Sequence, residues 1–308
     1  MHFCTHTHKK VVRKARLSGR TRAATYKAIF RIREKNAKAI AKGLIVGIKE
    51  FRSRIDVDLL AREIDKGLGH ALAAINWQDM NECFSGYTGT LREMYGHVAD
   101  TTALRIPARV RKAKNERLDA KNPRIERLIE KNAGERIQGL QEDTQKVLQS
   151  ALTRGVNTGR DSKWIADRIK DSVGLDERRE KALMNYANTI YSQNMKPGRA
   201  DKLVAAYGER LLESRAETIA RTEAARIANE GQLMVWQDAV EGGVLPETAK
   251  KIWVVDGNPC DVCEPMDDIA VPLDDIWVLD DGTPCYVPSD SHPNCMCGMD
   301  LDFGEDEE

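Results

Sequence analysis

The clearest pattern in the sequence is a long amphipathic repeat in the middle of the chain, NPRIERLIEKNAGERIQGLQEDTQKVLQSALTRG. Its apolar residues recur in a nearly heptad rhythm at Ile125, Leu128, Ile137, Leu140, Val147, Leu148, Ala151 and Leu152. This spacing places them on one face of an α-helix, as a core stripe or a coiled-coil seam. Asn122 can cap the free amides of the first turn, Pro123 suits the first helical position, and Gly155 is expected to end the helix.

Two shorter helices are predicted after this repeat. DSKWIADRIKDSVG has Asp161 or Ser162 as its cap and Gly174 as its stop, and LDERREKALMNYANTIYSQ is ended by Pro197 and Gly198. The residue types at these ends are those that satisfy or terminate a helical backbone. A longer helical segment is then expected from about residue 199 to residue 240.

Before the repeat, the pattern is less uniform. Residues 55–77 show helical spacing in two pieces, which we expect to be hinged near Gly67 and Gly69. The following stretch, CFSGYTGTLREMYG, contains several glycines and is expected to be less regular.

Near the C-terminus the pattern changes from helical to β-type. Gly242, Gly243 and Pro246 mark the end of the helical part. IWVV and IWVL are short β-type runs, and DDG after the second is typical of a tight hairpin turn. The cysteines begin where this change occurs, which predicts a domain boundary.

Charge is distributed very unevenly, although the formal net charge is zero. Residues 1–40 contain twelve Lys/Arg and one acid, Glu34, whereas residues 252–308 contain sixteen Asp/Glu and no Lys or Arg. The first end favours polyanions or acidic partners, and the other end repels them. No apolar run approaches the ~18 residues of a membrane span, so no membrane contact is expected. MHFCTHTHKK lacks the apolar region of a secretory signal, and we expect the chain to stay in the cytosol where it is made.

Five of the seven cysteines lie in the last fifth of the chain, which indicates a metal site more than disulfides in a reducing compartment. Cys260 and Cys263 have the Cys-x2-Cys spacing at which one turn directs two thiolates to one point. His292, Cys295 and Cys297 supply the other half of the site. We predict a structural zinc ion held by Cys260, Cys263, His292 and one or both of Cys295 and Cys297.

The energetics of folding favour this interpretation. In a small acidic segment with few large apolar groups, the hydrophobic core contributes only ~3–5 kcal/mol to the free energy of unfolding. A structural zinc ion contributes on the order of 10 kcal/mol or more. Cys285 could substitute as a ligand, although the turn-rich DDGTPCYVP around it is typical of a loop. The alternatives are reduced thiols in a small core or a redox pair. Cys4, Cys83 and the N-terminal HFCTHTH are expected to play no part in the site.

These patterns together predict a mainly α protein with an elongated helical body and a small C-terminal α+β domain stapled by zinc. Residues 1–50 form a basic helical arm, which either contacts nucleic acid or an acidic protein face or is a solvated arm that helps solubility. Residues 51–198 form the helical body. Residues 199–245 form a long helix that leads into the tail. Residues 246–308 form the small acidic Cys/His metal-binding domain.

RAETIARTEAARIANEGQLMVWQDAVEGG, followed by IWVVDGNPCDVC and HPNCMC, resembles the phage Mu F-like head morphogenesis family, the minor head proteins of tailed bacteriophages. Family members carry an ARTE…N helix, a tryptophan, a Cys-x2-Cys pair and a terminal HPxCRC. SKWIADRI, GLDERREKALMNY and the helix from Asn122 also fit, so the resemblance spans roughly residues 55–300. Met296 stands where the family has arginine, which keeps the ligands but removes any polar contact of that arginine.

The resemblance implies a low-copy procapsid component that associates with the portal protein and acts in head assembly. The resemblance also implies contact with scaffold or major capsid protein, packaging in the head and an influence on DNA delivery. The location it implies is the virion, reached from the host cytoplasm during assembly. In the family, the cysteines and the histidine are regarded as a metal site. Arg221 and Glu223, in the RTE of the helix, are expected to form a packing or interface ion pair, because no nucleophile or histidine lies near them in sequence.

Three functions follow from these patterns. The leading hypothesis is a non-enzymatic virion assembly protein. The second is a zinc hydrolase or nuclease, in which Asp256 or Asp290 would be available as a general base beside an open zinc position. The third is a nucleic-acid-binding protein, which would contact packaged DNA through the Lys/Arg of residues 1–50 and of the second basic run, 105–127.

Overall fold

The fold was obtained as a computed structural model, which describes residues 19–106, 123–157, 159, 161–193, 196–255, 257 and 259–303. Its helices are α1 (Gly19–Arg54), α2 (Val57–Ile64), α3 (Leu68–Ala73), α4 (Asp79–Cys83), α5 (Ser85–Arg105), α6 (Pro123–Asn157), α7 (Ser162–Ser172), α8 (Glu177–Ser192) and α9 (Pro197–Glu241). The strands are β1 (Lys250–Val254), β2 (Ala270–Pro272), β3 (Trp277–Val278), β4 (Pro284–Cys285) and β5 (Gly298–Asp302). With 71% of the structure helical and the strands confined to the C-terminal region, the predicted mainly α class with a small mixed C-terminal domain is confirmed.

The sequence indicated some of the helix ends correctly and two of them wrongly. Helix α8 ends at Ser192, and Pro197 and Gly198, which were expected to stop it, are the first residues of α9. Asp161 caps α7 by accepting a hydrogen bond from the Trp164 amide at 2.8 Å. Gly174, two residues after α7, adopts a φ of 81°, which L side chains rarely adopt. Helix α6 begins at Pro123, but it runs through Gly155 to residue 157. A single glycine costs only about 1 kcal/mol in a helix, so it did not end this one.

The stretch CFSGYTGTLREMYG, expected to be irregular, is mostly helix α5, and that prediction was wrong. The glycines lower its intrinsic helix propensity. Tertiary packing compensates, because Tyr87, Leu91, Met94, Tyr95 and Val98 are all completely buried along this helix. Burial of large side chains of this kind contributes ~1.5–3 kcal/mol each, which exceeds the cost of the glycines.

The chain divides into two compact units. The first combines Met1–Arg33, Tyr95–Asp119 and Ala225–Glu308, and the second combines Glu34–Met94 and Ala120–Ala224. Of the predicted basic arm, residues 1–18 lie outside the described residues and the rest belongs to α1. Most of the second basic run also lies outside them. No helix in the described part of the chain is both long enough and apolar enough to span a membrane.

In the second unit, two buried arginines hold the turn between α7 and α8. Arg52 Nε donates to the Val173 carbonyl at 3.0 Å, and Arg215 Nη1 donates to the Gly174 carbonyl at 2.8 Å. A Cβ atom at Gly174 would lie only 2.7 Å from Cγ2 of Ile48. The turn therefore requires glycine both for its φ angle and for the close packing beside it.

In the first unit, the C-terminal part of the chain forms two small antiparallel sheets. The larger has the order β2-β1-β5, and the smaller pairs β3 with β4. The side chains of Trp253 and Trp277 join the two sheets in an edge-to-face contact, with centroids 5.3 Å apart and rings at 86°. Trp277 Nε1 also donates to the Ile269 carbonyl at 3.0 Å. This pair of buried indoles is the core of the module, which we define as residues 250–303 and call the C-terminal module.

Candidate metal centre

The first half of the candidate site is the turn that carries Cys260 and Cys263. The Cys263 amide donates to the Cys260 carbonyl at 3.0 Å, and the Glu264 amide donates to the same carbonyl at 2.9 Å. A 3-10 turn, Glu264–Met266, follows directly. This backbone geometry turns both thiols to the same side, as the Cys-x2-Cys spacing predicts.

The second half is the segment His292–Cys297, which we call the metal loop. The Cys295 amide donates to the His292 carbonyl at 3.2 Å, closing a turn around Asn294. Asn294 has a φ of 62°, in the left-handed region that asparagine tolerates better than most residues. The turn brings the His292 imidazole and the Cys295 thiol to the same side of the loop.

Three donor pairs that join the two halves lie close to the edge lengths of a tetrahedral metal site. Cys260 Sγ and Cys263 Sγ lie 3.1 and 3.3 Å from His292 Nε2, and Cys263 Sγ lies 3.8 Å from Cys295 Sγ. A zinc ion with bonds of ~2.3 Å to sulfur and ~2.05 Å to nitrogen requires edges of ~3.8 Å between sulfurs and ~3.6 Å between sulfur and nitrogen. The observed edges agree to within about half an ångström.

All five predicted ligands lie in two overlapping triplets of donors, each with its atoms within 4.8 Å of one another. One triplet is Cys260, Cys263 and His292, and the other is Cys263, Cys295 and Cys297. Cys263 belongs to both. The five donors together can therefore hold a metal ion, with Cys263 as the residue that links the two triplets.

Cys285 is not part of either triplet. Its surroundings were expected to be a loop, but it lies in strand β4, where it pairs with Trp277, and its side chain is completely buried. Burial raises the pKa of its thiol to about 11. Cys285 is thus a protonated core residue of the module. Cys83 is a buried free thiol in α4, and Cys4 and the N-terminal histidines lie outside the described residues.

The electrostatics of the cluster shift the pKa values of its thiols in opposite directions. The hydrogen bond from Cys297 lowers the pKa of Cys295, whereas burial raises the pKa of Cys263, and the charge of Cys295 raises it further. Because a metal ion binds thiolates, loading the cluster must release the protons of those thiols that still carry them. Metal affinity is therefore expected to rise with pH.

The metal loop is held on two helices by hydrogen bonds to its main chain. Arg33 of α1, which is buried, donates from Nη1 to the Met296 carbonyl at 2.8 Å and to the Cys297 carbonyl at 3.3 Å. Its Nη2 donates to the Cys295 carbonyl at 3.4 Å. From α9, the Asn229 side-chain amide donates to the Cys297 carbonyl at 3.3 Å. Three successive carbonyls of the ligand-bearing segment are therefore positioned by buried side chains, the kind of outer support that metal ligands commonly have.

Sequence reasoning missed Arg33, because it is one of twelve basic residues in the first forty. A signal was present in the spacing. Ile29, Arg33, Asn36 and Ile40 recur every three or four residues, and all four are buried along α1. An arginine in the apolar stripe of an amphipathic helix needs partners for its guanidinium, and here those partners are the carbonyls of the metal loop.

The RTE of helix α9 has a packing role. Glu223 is buried, and its Oε1 accepts a hydrogen bond from Nε of Arg136 on α6 at 3.0 Å. Arg221 is exposed. Both partners of the ion pair lie in the second unit, far along the chain from the cysteines.

Of the two acids considered as general bases, the structure describes Asp290. Asp290 Oδ2 accepts hydrogen bonds from the amides of Tyr286 and Val287, both at 3.0 Å, so it closes its own turn. Asp256 lies outside the described residues. The two donor triplets contain only thiols and one imidazole.

Comparison with protein-family models, with curated proteins and with solved structures finds no match for this chain.

Proposed function

We propose that this protein is a non-enzymatic minor head protein of a tailed bacteriophage, whose C-terminal module is closed by a structural zinc ion. The observation that carries the proposal is the pair of donor triplets, Cys260/Cys263/His292 and Cys263/Cys295/Cys297, which share Cys263 and lie across the two halves of the site. These residues belong to the motifs on which the resemblance to the phage Mu F-like family rests. The helical body is proposed to associate with the portal protein during procapsid assembly.

A structural zinc ion is supported by the type and number of donors. Four or five soft donors and no carboxylate in the triplets are typical of a closed site, whereas a catalytic zinc keeps three protein ligands and an open position. Zinc is the metal that a Cys/His tetrahedron of this size most often holds. The ion would cross-link two segments that are about 30 residues apart in sequence, and it would offset part of the negative charge of the surrounding acids.

A role in assembly is supported by the way the module is joined to the helices. Arg33 and Asn229 bind the main chain of the metal loop, so metal loading would stabilise the parts of α1 and α9 that carry them as well as the module. A small stapled domain that orders long helices is suited to a protein that presents helical surfaces to partners. No step of chemistry is needed for such a role.

The metal part of the proposal is tested by elemental analysis and by circular dichroism of the full-length protein with and without a chelator. We expect one zinc per chain. Chelation should remove the near-ultraviolet circular-dichroism signal of the buried tryptophans while most of the far-ultraviolet helical signal remains. A metal-free protein with an ordered module would contradict this part.

The assembly part is tested by co-expressing the chain with the portal and capsid proteins of the same phage. We expect the wild-type chain to sediment with procapsids and to be captured by tagged portal. The Cys263→Ser variant should be lost from the particles, whereas Cys285→Ser, a change of a cysteine outside the site, should be retained. A wild-type chain that is absent from particles and does not bind the portal would refute this function.

A further inference from the structure

The β3–β4 hairpin of the C-terminal module has apolar residues on both of its faces. Trp277 and Cys285 point inward and are buried. Ile276, Val278 and Tyr286 alternate with them and are 44%, 51% and 39% exposed. We call these three side chains the hairpin face. The register pairs Val278 with Pro284, which places neighbouring positions of the two strands on the same side of the sheet.

The hairpin face is bordered by acids. Asp274 and Asp275 precede it and Asp280 and Asp281 follow it, and all four are exposed. From residue 252 to the end of the sequence there is no Lys or Arg to balance them. Lys251 is buried beneath the face, with Nζ 4.0 Å from the centre of the Tyr286 ring. An apolar surface with an acidic rim fits a basic segment that carries apolar side chains.

The same chain contains a segment of this chemistry. Residues 9–17, KKVVRKARL, combine five basic side chains with two valines and a leucine and contain no acid. They end two residues before Gly19, where α1 begins. The part of helix α1 up to Arg33 lies in the same compact unit as the module, and the Tyr26 hydroxyl donates to the Met296 carbonyl at 3.5 Å.

Chain length permits the contact. Eighteen residues precede Gly19, and an extended segment of that length reaches up to about 60 Å. Because both surfaces belong to one chain, the tether supplies an effective concentration in the millimolar range, so that a contact of modest affinity is populated. A second copy or a foreign protein would have to compete with this local concentration.

We propose that residues 9–17 dock on the hairpin face of their own chain. The valines and the leucine cover Ile276, Val278 and Tyr286, and the lysines and arginines pair with the aspartates of the rim. Docking occupies the basic side chains that would otherwise meet a polyanion. The inference rests on the charge and exposure of these residues, and it does not depend on the phage assignment.

The test is zero-length carbodiimide cross-linking of the full-length protein, with the linked peptides identified by mass spectrometry. Carbodiimide joins a lysine amine to a carboxylate that it touches. We expect links from Lys9, Lys10 or Lys14 to the rim aspartates. In a mixture of isotopically heavy and light chains, these links should lie within single chains, and 0.5 M salt should weaken them.

The variant Ile276→Asn/Val278→Asn should reduce the yield of these links at least fivefold. Leu104→Asn is the matched control, because Leu104 is an apolar residue of the same unit that is 71% exposed. It should leave the yield unchanged. Absence of the links, links only between heavy and light chains, or equal yields in the two variants would each overturn the proposal.

Discussion

Replacement of Arg33 by alanine should release the metal loop from helix α1. The buried Arg33 guanidinium donates to the carbonyls of Cys295, Met296 and Cys297. Alanine removes all three donors at once, and it leaves a space beside carbonyls that are partly buried. The position of the loop would then depend on Asn229 and on the metal itself.

The magnitude can be worked from these contacts. The 2.8 Å bond from the charged Nη1 to the Met296 carbonyl is short and strong, and a bond of this type contributes ~1.5–3 kcal/mol. The two longer bonds, at 3.3 and 3.4 Å, are weaker and together contribute about 1 kcal/mol. We therefore expect Arg33→Ala to lower the free energy of unfolding of the module by about 3 kcal/mol, whereas Arg33→Lys, which keeps the charge but loses the planar fork, should cost less.

The assay is denaturant unfolding of the zinc-loaded, full-length protein, followed by tryptophan fluorescence, in a background where phenylalanine replaces Trp77, Trp164 and Trp236 so that only Trp253 and Trp277 emit. Zinc affinity is measured in parallel by competition with a chelator. If the variant loses all of the ~3 kcal/mol by which Arg33 stabilises the ligand-bearing loop, the affinity for zinc should fall by up to ~100-fold. Arg31→Ala is the matched control, because Arg31 lies on the same helix and is exposed. Its effect should stay within about 0.5 kcal/mol.

The reasoning would be refuted if Arg33→Ala and Arg31→Ala had the same stability and the same zinc affinity. In that case, the hydrogen bonds to the loop carbonyls would contribute nothing that water cannot replace. A loss of stability with unchanged zinc affinity would show that Arg33 holds the module on α1 without positioning the ligands.

Three further predictions concern single side chains. Cys263→Ser should abolish stoichiometric zinc binding, because Cys263 belongs to both donor triplets, whereas Cys285→Ser should retain one zinc per chain by elemental analysis. Arg136→Ala should destabilise the protein by roughly 3 kcal/mol in a denaturant melt, because it leaves the buried Glu223 carboxylate without its Arg136 partner. A loss of less than about 1 kcal/mol would exclude a packing role for the Arg136–Glu223 pair. Burial lowers the pKa of Lys251 to about 8, from 10.5 in the unfolded chain. Between these two pH values the unfolded state binds more protons than the folded state. The free energy of unfolding should therefore rise with pH across that window, by at most about 3 kcal/mol. The Lys251→Met variant should lack this rise in melts between pH 7.5 and 10.5, and a rise of the same size in the variant would assign it to other groups.

The lysine illustrates a type of residue that sequence reasoning could not place. In the run KKIWV, Lys250 and Lys251 look equivalent. Only the pairing of β1 between two strands decides that Lys251 points into the module, where its Nζ lies over Trp277 and donates to the Tyr286 carbonyl at 2.9 Å. The second sheet that surrounds it comes from residues about 30 positions later in the chain.

Local features were predictable from the sequence because their causes are local. The Asp161 cap, the Gly174 turn and the Cys-x2-Cys knuckle depend on hydrogen bonds and φ angles within a few residues. The change from helical to β-type pattern near Pro246 depends on the periodicity of neighbouring side chains. The mainly α class with a small C-terminal module followed from these local patterns.

Other features depended on residues that only folding brings together. Helix α5 forms despite its glycines because the side chains around it are completely buried. Arg33 meets the metal loop across more than 260 positions of sequence. The structure describes six cysteines, and only the tertiary arrangement shows that Cys285 lies outside both donor triplets. Spacing along the chain determines which side chains can meet within one turn. Burial and long-range pairing depend instead on the packing of distant segments, and no local pattern in the sequence specifies that packing.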